Sequence, residues 1–207
     1  MRIMSKLGVF GTVCLVMVSA LLAYSYFVLD GFQKYKTKLA DDYVAAVKSL
    51  QQIDREFPDK SGGTFQTTRY DDWLAVRSAA SDVFAERFKN PETASNLTMR
   101  RTRIDMLEAV ATELQAHKLG LKEYCAISAR WRSIVALPEF GKLQQEWRKA
   151  VRVQTDPNPM PLPSPAKDAR TDEIAWVRQH APALIASMRV DVFDVLLTKV
   201  ANDPPVE

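Results

Sequence analysis

The stretch FQKYKTKLADDYVAAVKSLQQIDREF, residues 32–57, decides the fold class because its apolar residues recur at spacings of three and four. Lys, Asp and Gln stand between them, which is the pattern of an amphipathic α-helix. Glycine is scarce, and no proline occurs before Pro58. The sequence therefore predicts long helices rather than strands and turns. The recurring apolar residues are Phe32, Tyr35, Leu39, Tyr43, Ala46, Val47, Leu50, Ile53 and Phe57.

Three more apolar stripes with helical spacing follow along the chain. The first occupies residues 68–88. Asn90-Pro91-Glu92 is typical of the start of the next helix, since Asn can cap it, Pro needs no amide partner there, and Glu favours the positive end of the dipole. Gly120 is expected to end that helix. A further helix over residues 121–135 is expected to end before Pro138, which opens a new segment.

Residues 157–165 read PNPMPLPSP, with proline at every second position. Fixed backbone angles and missing amides favour an extended, polyproline-like strap about 28 Å long. A ligand for a proline-binding module is the alternative, but such modules usually need a basic residue beside PxxP, and only Lys167 is close. Thr171-Asp172-Glu173 then begins a last helix, which Pro182 is expected to bend.

The predicted fold class is all-α: an N-terminal transmembrane helix, then an elongated antiparallel helical bundle with a proline-rich strap and a kinked C-terminal helix. The four tryptophans all fall within helical patterns and are predicted to pack in the core. The predicted segments are a cytoplasmic tail (1–6), a transmembrane signal anchor (7–29), the bundle (30–152), a proline-rich linker (153–170), the C-terminal helix packed on the bundle (171–200) and a frayed tail (201–207).

The predicted anchor is a run of 23 residues without a charge, from Leu7 to Leu29. It is long enough as a helix to cross a hydrocarbon core of about 30 Å. Tyr24, Tyr26 and Phe27 lie toward one end, where aromatic rings favour the membrane interface. A cleaved secretory signal with its cleavage site at 18–20 is the alternative, although it would leave a mostly apolar new terminus.

The orientation of the anchor is not decided by the charge rule, because basic residues flank both of its ends. A short tail followed by an apolar run nevertheless resembles a signal anchor. The predicted localisation is the cell membrane, with a single span, the amino terminus in the cytoplasm and the bulk of the chain extracytoplasmic, which is periplasmic if the protein is bacterial. The membrane is thus a predicted partner. Ser19 and Ala23 also permit close helix contact, so a homo-oligomer is a further candidate.

Composition limits the classes of function. Without Arg2 and Lys6, 26 of the 28 Lys and Arg residues remain against 25 Asp and Glu, which argues against a nucleic-acid partner. The two cysteines, Cys14 and Cys125, cannot form a framework of disulfides. Cys125 lies among apolar residues and is predicted to be a small buried side chain rather than a reactive thiol.

No pattern of catalytic, cofactor-binding or metal-ligating residues is found in the sequence. The two histidines, His117 and His180, form no helical zinc pair, and no phosphate-binding glycine loop or nucleophile elbow occurs. Glu113 and His117 are four apart and are best explained as a contact on a helix surface. The prediction is a protein that is not an enzyme and holds no cofactor or metal.

Arg100, Arg101 and Arg103 lie near the start of the third stripe, and positions 100 and 101 fall where that stripe expects an apolar residue between Leu97 and Ile104. They are candidates for contact with an anion or an acidic partner, while the alternative is that the first turns of this helix project into water. The predicted function is a noncatalytic scaffold or accessory subunit of an envelope assembly, with a protein partner. The alternative is a sensor bundle that binds a small ligand between helices, with Arg101 lining the pocket, and signals through a partner.

Overall fold

The computed structural model describes residues 2–59, 66–87, 96–152 and 163–205, with side chains throughout these ranges except at residues 2–23, 151, 152, 189 and 192. Helices and short connections make up these ranges, without a strand, and the predicted all-α helical bundle is confirmed. The helices are α1 (Arg2–Glu56), α2 (Thr67–Arg87), α3 (Asn96–Ala116), α4 (Leu121–Val135), α5 (Gly141–Arg152), α6 (Thr171–Gln179), α7 (Ala181–Ser187) and α8 (Asp191–Asn202), with single 3-10 turns at Pro138–Phe140 and Met188–Val190.

The chain divides into two compact units, Met1–Asp42 and Tyr43–Glu207. In the second unit, Ala46, Val47, Leu50 and Ile53 of α1 are buried, as their spacing predicts. Tyr43 belongs to the same predicted stripe but keeps 36% of its surface exposed. In the first unit Phe32 and Tyr35 are exposed as well. The amphipathic pattern of residues 32–57 therefore marks a core-facing surface mainly in its second half.

The core of the second unit is built around tryptophan, as predicted. Trp73, Trp131, Trp147 and Trp176 are all at least 95% buried. The Trp73 ring centroid lies 5.6 Å from that of Trp131 and 6.4 Å from that of Trp176. Clustered aromatic rings of this size bury a large apolar area, so residues from α2, α4 and α6 share one core.

The junction between α3 and α4 differs from the prediction at Gly120. Lys118, with φ of 50°, takes the left-handed position that ends α3, and Leu119 N–H donates to Leu114 O at 2.9 Å. Gly120 precedes α4, where a Cβ would lie 1.9 Å from the Phe57 carbonyl oxygen. Glycine is needed at position 120 for close approach of two backbone segments rather than for its turn. The predicted start of α3 at residues 90–92 lies outside the described residues.

The C-terminal region forms three helices instead of one bent helix. α6 ends at Gln179, and α7 begins at Ala181 with Pro182 in its first turn. Proline has no amide to bond to the preceding turn, so the backbone breaks there rather than bending. A 3-10 turn then separates α7 from α8. Beyond α8, in the tail predicted to fray, the Pro204 carbonyl accepts a hydrogen bond from Gln51 Nε2 at 3.3 Å.

The last part of the proline-rich linker contacts α4. Residues 153–162 lie outside the described ranges, whereas 163–170 are extended or turn residues. Ala166 N–H donates to Ser133 O at 3.0 Å, and Arg130 Nη1 donates to Asp168 Oδ1 at 2.7 Å. These bonds hold residues 166–168 beside α4.

Within the described residues, no helix combines the length and the apolar character needed to cross a bilayer. The structure does not describe the side chains of residues 1–23. Most of the predicted anchor, 7–29, and all of the predicted tail, 1–6, therefore lie outside the described side chains.

Candidate functional site

A fully buried arginine lies at the centre of the bundle. Arg77 of α2 donates from Nη1 to Asp194 Oδ2 at 2.8 Å and from Nε to Ser187 Oγ at 2.9 Å. Its Nη2 donates to the Ser187 carbonyl at 3.1 Å and to Asp191 Oδ1. Every acceptor comes from the C-terminal end of α7 or the start of α8, so this one side chain joins α2 to the C-terminal region.

Aromatic side chains enclose this buried ion network. The Arg77 guanidinium carbon lies 5.3 Å from the ring centroids of both Trp73 and Trp131, within range of cation–π attraction. Tyr124 donates its hydroxyl proton to Asp194 Oδ1 at 3.0 Å, and Trp147 donates its indole N–H to Asp191 Oδ2. The network thereby extends to α4 and α5.

Burial and charge oppose each other in the network. Burial alone would lower the pKa of Arg77, but Asp191 and Asp194 outweigh it, and the pKa is raised. Burial raises the pKa of Asp194, although Arg77 opposes this. Burial also raises the pKa of Tyr124, and the Asp194 carboxylate adds to the effect. One guanidinium thus faces two carboxyl groups inside the core, and its hydrogen bonds to both link α2 to α8.

One feature of the sequence indicates this network, although the interpretation of α2 as a simple apolar stripe did not include it. Arg77 lies four residues after Trp73 and three before Ala80, so it occupies the apolar face of α2. Asp191 and Asp194 are three apart on α8 and therefore share a face. Their pairing with Arg77 over 114 and 117 residues cannot be read from either local pattern.

A second network surrounds Glu173 at the start of α6. Its carboxylate accepts hydrogen bonds from Tyr70 Oη at 2.6 Å and from Arg130 Nη2 at 2.8 Å. The Arg170 backbone N–H, three residues earlier, also donates to it at 3.0 Å. Burial opposes ionisation of Glu173, but the bonds from Arg130 and Tyr70 prevail and lower its pKa to about 2. Arg130 of α4 thus holds α6 through Glu173, and it holds the end of the linker through Asp168.

Both histidines pair with consecutive aspartates of α2. His117 Nδ1 lies 2.9 Å from Asp72 Oδ1, and its Nε2 lies 3.6 Å from Glu113, which is the predicted helix-surface contact. His180 Nε2 lies 3.6 Å from Asp71 Oδ1, and the ring stacks on Trp176 at 4.3 Å. In the described ranges, no three His, Cys, Asp or Glu side chains converge in a way that could hold a metal ion.

Cys125 of α4 is packed against the core, as predicted for a small apolar side chain. Burial raises the pKa of its thiol to about 12. Because the thiolate is the nucleophilic form, a thiol with this pKa is protonated and unreactive at neutral pH.

The three candidate arginines of α3 are not equivalent. Arg101 Nε lies 2.7 Å from Asp105 Oδ1, four residues further along the helix, and Arg87 Nη2 of α2 lies 3.1 Å from the other oxygen of Asp105. Arg100 and Arg103 are exposed and form no ion pair with any residue that the structure describes. Arg101 is therefore partly neutralised, whereas the other two retain their full charge toward solvent.

The candidate membrane-interface residues are among the most exposed large apolar side chains of the described chain. Tyr24, Tyr26 and Phe27 expose 70%, 69% and 72% of their surface. Tyr26 and Phe27 contact each other edge to face at 6.2 Å. Further along α1, Lys36 lies over the Phe32 ring at 4.4 Å. Aromatic rings and a basic residue thus share the exposed surface of the first unit.

A groove lies between α1 and α3 in the second unit. It has a volume of about 450 Å³. Its lining combines apolar and polar side chains, and Arg101 is not among them. The lining residues are Ala46, Ser49, Ile53, Glu108, Ala111, Thr112 and Gln115.

Comparison with known proteins finds no protein-family model, no curated protein and no solved structure that matches this chain. No relative therefore transfers a role to the candidate arginines or to the exposed aromatic residues.

Proposed function

We propose that this chain is a single-pass membrane protein whose helical bundle is extracytoplasmic and acts as a noncatalytic scaffold or accessory subunit of an envelope assembly. In this proposal the uncharged run at 7–29 is a transmembrane signal anchor, residues 1–6 lie in the cytoplasm, and an elongated antiparallel bundle continues from the anchor. If the organism is bacterial, the bundle is periplasmic.

The observation that carries the proposal is the exposed apolar surface at the end of the uncharged run. Val28 and Leu29 expose 51% and 61% of their surface, in line with Tyr24, Tyr26 and Phe27. A continuous apolar surface of this kind is unfavourable in water, and large exposed patches mark contact with lipid or protein. Tyrosine rings have a wet edge and an apolar body, which suits the region between headgroups and hydrocarbon.

The noncatalytic role is supported by the use that the bundle makes of its buried charges. Arg77, Asp191 and Asp194 bond to one another in a site without exposure to solvent. Glu173 is likewise bonded to Tyr70 and Arg130. Ionisable groups that link distant helices in this way hold the bundle in one arrangement, as a scaffold that presents fixed surfaces requires.

The groove between α1 and α3 favours the second candidate, a sensor bundle that binds a small ligand and signals through a partner. A volume of about 450 Å³ is within the range of small-molecule pockets. Metabolite-dependent thermal shifts of the purified protein would support the sensor, whereas crosslinks from the bundle surface to one reproducible protein would support the scaffold.

Membrane insertion is tested by alkaline carbonate extraction of vesicles, together with topology reporters fused to each terminus. The proposal expects the full-length chain to stay in the membrane pellet, with a cytoplasmic amino terminus and an extracytoplasmic carboxyl terminus. Release into the supernatant, a mature protein that begins near Leu21, or a carboxyl terminus in the cytoplasm would each overturn it.

A further inference from the structure

The face of α3 that packs in the core changes chemistry along the helix. Leu107, Val110 and Leu114 are fully buried. Arg100 and Arg103 continue this series toward the start of α3 at spacings of three and four, so they lie on the same face. Both are exposed. The core-facing surface of α3 therefore continues into solvent as an unpaired basic surface in the described part of the chain.

Two more arginines pair with Asp105 of α3. Asp105 bridges Arg87 and Arg101 with its two carboxylate oxygens, although Arg87 remains 52% exposed. These two ion pairs join the end of α2 to the first turns of α3. Arg87, Arg100, Arg101 and Arg103 are termed the arginine patch below.

The chemistry of the patch selects its partner. The planar guanidinium group binds carboxylate or phosphate through paired hydrogen bonds, which a lysine cannot match. Peripheral binding to a membrane surface usually combines basic residues with large apolar side chains that insert between lipids. On α2 and α3, the described residues expose no large hydrophobic side chain. The patch therefore suits an acidic protein segment better than a lipid surface.

We propose that the arginine patch is the docking surface for an acidic segment of a partner protein, with Arg100 and Arg103 making the principal contacts. Carboxylates of the segment pair with these two guanidinium groups, and Arg87 and Arg101 raise the local positive potential. The inference rests on the proposed function for the existence of a protein partner and adds the surface and chemistry of that contact.

The test uses the full-length chain in neutral detergent and a fluorescent oligoglutamate peptide of about ten residues as the probe. The variant R100E/R103E reverses both principal charges. The control K142E/R148E makes the same charge change at two exposed positions of α5. We expect R100E/R103E to weaken peptide binding by about tenfold or more and the control to change it less than about twofold, with wild-type affinity falling as salt increases.

Equal loss in both variants, or no measurable binding by the wild type, would overturn the proposal. A third arm reconstitutes the full chain in neutral vesicles and adds anionic vesicles. Tethering that depends on Arg100 and Arg103 without peptide binding would replace the protein partner by a lipid surface. Peptide binding is measured independently of membrane topology. Release of the chain by alkaline carbonate would therefore overturn the membrane proposal without affecting the interpretation of the peptide-binding result. Circular dichroism of each variant checks that the helices remain folded.

Discussion

Arg77 and Arg103 stand in similar positions in the sequence and in opposite positions in the molecule. Each interrupts an apolar stripe at helical spacing, Arg77 after Trp73 on α2 and Arg103 before Leu107 on α3. Arg77 is completely buried and bonded to two aspartates, whereas Arg103 is exposed without an ion pair among the described residues. The position of an arginine in an apolar stripe therefore does not tell whether it is buried; that depends on whether acidic side chains of other helices lie opposite it.

The difference arises from the elements that face each helix. A buried guanidinium without compensation is strongly unfavourable, because its charge loses the stabilisation of water. α8 supplies Asp191 and Asp194 opposite Arg77, and Tyr124 and Trp147 satisfy the remaining oxygens of these acids. Nothing comparable is described around Arg103, so that side chain retains its hydration.

The largest predicted effect is at Arg77. Arg77→Met keeps much of the side-chain volume but leaves two buried carboxylates without their cation, so we expect a loss of about 3–5 kcal/mol in the free energy of unfolding. Urea unfolding of the full-length chain in neutral detergent, followed by circular dichroism, measures it. Arg103→Met is the matched control and is expected to change stability by less than about 0.5 kcal/mol. Similar losses in the two variants would contradict the assignment of Arg77 as a structural ion.

A smaller effect is expected at the network of Arg130, whose side chain remains 18% exposed. Glu173→Gln removes the charge that accepts from Arg130 and Tyr70, and hydrogen bonds to charged groups contribute about 1.5–3 kcal/mol, so a loss of that size is expected at pH 7. Asp172→Asn is the control, because Asp172 is adjacent but 56% exposed. A loss in the control equal to that of Glu173→Gln would show that attraction to the positive end of the α6 dipole, rather than the network, is responsible.

The pH dependence of stability tests the same network by another route. The pKa of Glu173 is lowered from 4.5 to about 2 in the folded state. Its stabilisation is therefore present above pH 4.5 and is lost as the pH falls from 4.5 toward 2. Over this range the wild type should lose more stability than Glu173→Gln, as measured by urea midpoints at each pH. Parallel curves for the two proteins would mean that Glu173 is not held ionised by its neighbours.

The sequence predicts those parts of the fold that depend on local periodicity. α4 has the predicted bounds, because its apolar spacing and the following Pro138 are both local signals. The left-handed residue that ends α3 is predicted at Gly120 but lies two residues earlier, at Lys118. Glycine occurs at position 120 because the Phe57 carbonyl, in a segment distant along the chain, leaves no room for a side chain. The partners of Arg77 are missed for the same reason. Contacts between helices, together with the division of the C-terminal region into three helices, separate the structure from the sequence-based prediction.

The smallest predicted effect on stability is at Asp105, and it sharpens the contrast between buried and exposed arginines. Asp105→Asn removes the carboxylate shared by Arg87 and Arg101, which expose 52% and 38% of their side chains, so we expect a loss of about 0.2–1 kcal/mol that shrinks as salt increases. The same change frees two positive charges beside Arg100 and Arg103. If the arginine patch binds acidic segments, the variant should therefore bind oligoglutamate more tightly than the wild type despite being less stable. Weaker binding would mean that Asp105 serves the patch mainly by holding its arginines in place.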